Sequence, residues 1–317
     1  MDLHADRDAF ETLLLSLSER STIRADILEK DYYVTLFLAE LSSNEAAQYT
    51  FFKGGTALYK ALGVIQRFSE DLDLTVEVSD CASRSAASKR LDNATKFLSL
   101  RRNKSAADRH SESGITRMYA YDSVVAAAGE DELQRFESVK VEATSFTISE
   151  PHEPLQIEPV LYTLATESER EIFSRRYAVN PLRVETILIE RIFIDKVFAA
   201  QFYLSQNRMF DAAKHLYDVA VLCNQPKIED LLSRSDVVSQ LIGLVRTENQ
   251  HRHGAGQTNE SILGFDYFQS GWTNAAFESA YFHMQSVYVF SEEYYISIDI
   301  LMERLLGLRH RFEQLRL

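Results

Sequence analysis

Apolar residues near the amino terminus recur at helical spacing. Leu13, Leu14 and Leu17, then Leu36, Leu38 and Leu41, predict helix across residues 8–41. The period then shortens to two. Phe51 and Phe52 read as the end of a short strand, Thr56–Leu62 as a short helix with Thr56 as its cap, and Asp71–Val78 as an alternating strand. Residues 84–100 read as helix, and Met118–Tyr121, Val139–Phe146 and Ile157–Leu164 as strands. A loop-like acidic stretch, Gly129–Glu132, lies between, and prolines at 151, 154, 159 and 181 punctuate the end of this part. From Glu185 onward the pattern is mainly helical, with few breakers until Gly254-Ala255-Gly256. This order predicts an α/β domain over residues 1–180, with amino-terminal helices, and a helical carboxy-terminal domain over 181–317.

The candidate chemistry sits on the first strand–helix–strand unit. Gly54 and Gly55 carry no side chain to block a ligand, and the helix start that follows them offers free N–H groups and a dipole favouring phosphate. An ordinary strand-to-helix turn has the same residues. In Asp71-Leu72-Asp73-Leu74 the two carboxylates share one strand face while the leucines face a core. Hard oxygens held that close suit a divalent cation, Mg²⁺ or Mn²⁺, bound together with phosphate oxygens. The bland reading is a solvated acidic face. Glu142, on the Val139–Phe146 strand, is the candidate third metal ligand or a solvated strand position. Arg67 and Ser69 stand close enough to Asp71 to reach phosphate oxygens, though Arg67 has Glu70 as an alternative partner.

Charge changes the picture in one place. The chain carries a net −13, which opposes simple electrostatic binding to nucleic acid. Yet Arg84–Arg117 holds nine basic residues against three acidic ones, a net +6 directly after the Asp-x-Asp strand. It reads either as a basic arm tracking an RNA backbone or as a solvated helix face. The acidic remainder could dock a basic protein. The aromatic-rich tail, Phe265 to Tyr295, fills a core or stacks on bases, and His251-Arg252-His253 reads as a loop. No apolar run is long enough to span a membrane, the acidic amino terminus lacks a signal-peptide pattern, and Cys81 and Cys223 are far apart in sequence. A cytoplasmic protein, monomeric when alone, is expected.

The glycine turn, the short helix and Arg67-x-Ser69-x-Asp71-x-Asp73 resemble the AbiEii/AbiGii-type nucleotidyltransferase toxins, which include the MenT toxins. Two later segments extend the resemblance. Asp195-Lys196-Val197-Phe198-Ala199 is similar to the family's (Glu/Asp)-Lys-x-x-Ala core. Lys214-His215-Leu216-Tyr217-Asp218-Val219 is similar to its Arg-His-x-Tyr-Asp-Leu segment, with Lys for the usual Arg and Val for the usual Leu. The resemblance implies a polymerase-β-like nucleotidyltransferase domain with a mixed sheet and a helical domain after it. It implies a toxin of a toxin–antitoxin or phage-defence system, with an antitoxin partner, that uses an NTP and Mg²⁺. The implied acceptor is the 3′ end of tRNA, so that translation stops. Transfer to a protein or small molecule, or nucleotide binding without chemistry, are the alternatives.

Carried over by position, Asp71 and Asp73 hold the metal, Lys196 contacts the triphosphate, and Asp218 is the essential carboxylate of the last motif, orienting Lys196 or activating the incoming hydroxyl. Independently of the resemblance, Lys196 lies among Ile192, Phe193, Val197, Phe198 and Ala200. It needs an anionic partner there, or it snorkels to solvent beside Asp195. His215 and Asp218 share a helix face, as a base with its orienter or as a structural hydrogen bond. Asp211, one turn earlier, is the rival carboxylate.

Overall fold

The computed structural model describes residues 2–103, 108–126, 137–253 and 261–315. The acidic stretch at 129–132 and the glycines at 254 and 256 lie outside them. The chain divides into two compact units: Met1–Leu62 with Phe68–Ile187, and Gly63–Arg67 with Leu188–Leu317.

The first unit is built on a mixed sheet. Its strands are β1 (Thr50–Lys53), β2 (Asp71–Val76), β3 (Arg101–Arg102), β4 (Arg109–His110), β5 (Gly114–Ala120), β6 (Ser138–Thr144), β7 (His152–Ile157) and β8 (Leu182–Ile187). Among the described residues the order is β3-β5-β6-β2-β1-β8-β7, with β4 also on β5. β2 runs antiparallel to β1 and parallel to β6, and β1 runs parallel to β8.

Alternation decides which face is buried. Leu72 and Leu74 stand opposite Val141 and Ala143, and all four are buried. Helices α1 (Arg7–Arg20) and α2 (Ala25–Ser42) pack together, and α2 and α4 (Arg84–Ala94) lie against the sheet. The remaining helices of this unit are α3 (Gly54–Lys60), α5 (Val160–Leu164) and α6 (Glu167–Tyr177). α2 is buried on nearly every side yet carries charges, so each must find partners. Asp31 accepts from the Tyr59 hydroxyl at 2.8 Å and the Val160 N–H at 2.6 Å, and pairs with the Lys60 ammonium at 2.7 Å. Glu29 accepts from the Ser123 hydroxyl and the Val124 N–H.

The second unit is helical. It holds α7 (Ile189–Ser205), α8 (Met209–Leu222), α9 (Pro226–Leu231), α10 (Ser235–His253), α11 (Ala275–Tyr288) and α12 (Ile298–Gln314). α8 packs on α7, α11 and α12. Phe265, Tyr267, Phe268, Phe277, Tyr281 and Tyr288 are buried, so these tail aromatics serve as core. Residues 63–67 join this unit: the Phe290 N–H donates to the Gln66 carbonyl at 3.1 Å, and Arg67 pairs with Val289 in an isolated antiparallel bridge.

Four local expectations need correction. Ile157–Leu164 is not a strand: β7 ends at Ile157, and Val160–Leu164 is helical, begun by Pro159 with its fixed φ. Helix does not start at Glu185, which lies in β8. The helix at 84 stops at Ala94. α10 runs through the backbone of His251–His253, where a loop was expected.

Candidate active site

The acidic face of the first unit is set by the register of β2 and β6. Asp71 stands opposite Lys140, and Asp73 opposite Glu142. In-register neighbours share a face, so three carboxylates and one ammonium gather on the side away from Leu72 and Leu74. Lys140 Nζ lies 3.2 Å from Asp71 Oδ2 and 2.5 Å from Glu142 Oε1. The Asp71, Glu142 and Lys140 side chains keep 34%, 37% and 30% of their surface, leaving the face open to a ligand. Burial disfavours the lysine's charge, but the attraction of Asp71 and Glu142 outweighs it and holds the ammonium above its ordinary pKa.

The glycine turn abuts this face. Lys53, the residue before α3, lies opposite Asp73 on β1. Gly54 follows at φ +78°, and a Cβ placed on it would meet Asp73 Oδ2 at 2.1 Å. Only glycine both adopts that angle and admits the carboxylate. Thr56 does not cap the helix. It is buried, and its hydroxyl donates to the backbone carbonyls of Asp71 and, at 3.3 Å, Ser69, tying α3 to the start of β2.

These donors fit a hard divalent cation, because the Asp71 and Asp73 carboxylates share one open face. Glu142 reaches the same face, and one of its two oxygens, Oε1, lies 2.5 Å from Lys140 Nζ. Among the described residues, no three His, Cys, Asp or Glu side chains converge as a ready-made metal cage.

The later motifs meet in the second unit. Asp218, on α8, is fully buried. It accepts from Arg67 Nε at 2.6 Å and Nη2 at 2.5 Å, and Lys196 Nζ, on α7, lies 2.9 Å from its Oδ2. The anionic partner that burial demands of Lys196 is therefore Asp218. Asp195 instead pairs with Arg191 at 2.7 Å, and Arg191 also reaches Glu248 at 2.6 Å. Burial pushes the Asp218 carboxyl up, the two cations pull it down, and the cations win, leaving it below the usual carboxylate range.

His215 does not pair with Asp218. Its Nδ1 is buried without a hydrogen-bond partner, and its ring stacks on Tyr203 with centroids 5.0 Å apart. Burial, then the positive charges of Lys196 and Lys214, hold it far below the ordinary histidine pKa, so it is neutral. Asp211 is occupied by Arg208 at 2.6 Å and Lys214 at 3.2 Å.

Sequence reasoning missed Lys140 as a participant and Asp218 as the partner of Arg67. The first was detectable, because Lys140 shares the period-two face of Glu142. The second had no local signal, since 151 positions separate the pair.

The first unit thus presents an open carboxylate face beside a glycine turn, and the second unit a buried Lys–Asp–Arg cluster. The family model described as "Nucleotidyl transferase AbiEii toxin, Type IV TA system" matches residues 36–284, and the chain belongs to that family. Among solved structures it is similar to MenT4, a nucleotidyltransferase toxin from Mycobacterium tuberculosis H37Rv. The identity is 15% and the TM-score 0.48, over 98% of this chain and 97% of that one. No curated protein matches the chain. No helix among the described residues is long and apolar enough to cross a membrane.

Proposed function

We propose that the protein is a toxin that transfers a nucleotide from an NTP to an RNA 3′-hydroxyl, that of tRNA, and so blocks translation, with a cognate antitoxin as its partner. The observation that carries this reading is the pairing of Asp71 and Asp73 on one open face, with Gly54 shaped around the Asp73 carboxylate. In the reaction, the acceptor hydroxyl attacks the α-phosphorus in line and pyrophosphate leaves. A divalent cation such as Mg²⁺, held by those carboxylates, would supply charge stabilisation to the transferring phosphate. Asp71 and Asp73 hold that cation, and the backbone of Gly54 and Gly55 leaves room for the phosphates. Ser69, which is also on the motif, completes the proposed nucleotide-binding set, whereas the buried guanidinium of Arg67 is taken by Asp218. In the second unit we assign Lys196 as essential, as the family resemblance implies, with Asp218 fixing its position.

An RNA acceptor is supported by Arg101 and Arg109, both exposed on the short edge strands β3 and β4. A protein or small-molecule acceptor is favoured by a different observation. Arg84, Arg90, Lys96, Arg102 and Arg117 are each already in an ion pair with a carboxylate, which lowers the positive field of the basic segment.

The test is transfer of label from each α-labelled NTP, with Mg²⁺ and total tRNA, by wild-type and Asp71→Ala protein. Label on tRNA in the wild type, lost roughly a hundred- to a thousandfold in the variant, is expected. An Asp71→Ala protein of undiminished activity would refute the mechanism. Label on protein alone would replace the acceptor.

A further inference from the structure

Lys140 lies in the middle of the carboxylate face, and no motif accounts for it. Its ammonium touches Asp71 and Glu142 at once, at 3.2 and 2.5 Å, and Asp73 adds a further attraction. The contact is imposed by the sheet. Asp71 and Lys140 are paired across β2 and β6, and Glu142 follows Lys140 by two positions on the same face. The β5 residues opposite Lys140 and Glu142 are Met118 and Thr116, which carry no charge. On the other side, Lys53 stands opposite Asp73.

We infer that Lys140 is the built-in cation of this face: it occupies the place between Asp71 and Glu142 that a second divalent ion would take, so the site holds one divalent ion, at Asp71 and Asp73. This rests on the nucleotidyltransferase reading and specifies its metal requirement.

Charge supports a single ion. Asp71, Asp73 and Glu142 supply three negative charges, and Lys53 and Lys140 two positive ones. One divalent ion already reverses the sign of the face. A second would have to sit against the Lys140 ammonium at contact distance, where like charges repel strongly. Lys140 lies closer to Glu142 (2.5 Å) than to Asp71 (3.2 Å), so Glu142 is the carboxylate it holds more tightly. Lys140 is thus a positioning residue: it keeps the Glu142 carboxylate on its own side of the face, and it steadies Asp71 from the flank.

The experiment counts Mn²⁺ bound to the full-length protein by titration calorimetry, with free Mn²⁺ read by electron paramagnetic resonance. The proteins are wild type, Lys140→Met, Lys140→Gln, Lys140→Arg and Asp71→Asn, each checked by thermal melting. Wild type and Lys140→Arg are expected to bind one Mn²⁺ per chain, and Lys140→Met and Lys140→Gln two. Two ions on the wild type, none on the wild type, or one ion on both neutral variants overturns the assignment. Lys140→Gln guards against misfolding of the methionine variant, and the wild-type count stands without either. Asp71→Asn separates this inference from the reading beneath it. If that variant binds Mn²⁺ as wild type does, the metal role of Asp71 falls, whatever Lys140 does.

Discussion

Asp218 holds two cations with one carboxylate. It is fully buried, Arg67 is nearly so, and Lys196 keeps only 8% of its side-chain surface. Removing the shared anion leaves two charges in a dry place, which costs about 3–5 kcal/mol for a buried pair. Asp218→Asn is therefore expected to lose stability on that scale and to lose transfer as well. The pH dependence has a definite sign. The folded carboxyl is depressed, so its contribution is complete above the unfolded value of about 3.9 and is lost as pH falls through the lower, folded value. Urea midpoints of wild type and Asp218→Asn should differ by a constant amount from pH 8 to pH 5 and converge in more acid solution. A gap that closes between pH 8 and pH 6 would show that another group sets it. Lys196 illustrates how far a single residue is legible. Its apolar helix declares that it needs an anion, yet nothing nearby in sequence says that the anion is Asp218 rather than the adjacent Asp195.

Elements were legible where one period ran without competition. β2 announces itself because Leu72 and Leu74 alternate with two carboxylates, and β6 because Val139 and Val141 alternate with Lys140 and Glu142. The stretch from His152 to Ile187 was not legible for a physical reason. Prolines stand inside β7 and before α5, and β7 is an edge strand, where a missing N–H is tolerated. β8 then merges into an apolar helix only two residues later, so its short period is masked. The α3 start shows why a glycine motif can matter beyond its turn. Gly54→Ala is expected to cost about 1–3 kcal/mol in backbone strain. It should also reduce transfer as severely as Asp73→Ala, because the new methyl group displaces the Asp73 carboxylate. A melting curve and the labelling assay together check this, and a Gly54→Ala protein with full activity would disprove the role of the turn.

At the scale of the whole chain, a net charge of −13 and an ordinary hydrophobic content fit a large acidic enzyme, but they do not reveal its partition. The second compact unit is discontinuous in sequence: Gly63–Arg67 belongs with Leu188–Leu317. No composition shift marks that short segment, which is why a linear reading passes over it. A fragment begun at Leu188 lacks Arg67, the bridge to Val289 and the bond from Phe290 to Gln66. It is expected to unfold at lower urea than the same unit within the full chain, and addition of Arg67 in the form of a 60–70 peptide should raise its midpoint. Equal midpoints with and without the peptide would show that the segment adds nothing.

The Arg67–Asp218 pair also carries a clock. The two residues are 151 positions apart, and at roughly 5–20 residues per second a ribosome needs on the order of 8–30 s to pass from one to the other. For most of that interval the nascent chain carries Arg67, Asp71 and Asp73 but has neither Lys196 nor the Asp218 carboxylate that anchors both cations. With Lys196 and Asp218 in the roles proposed above, the toxin would stay inert until most of its length has been synthesised.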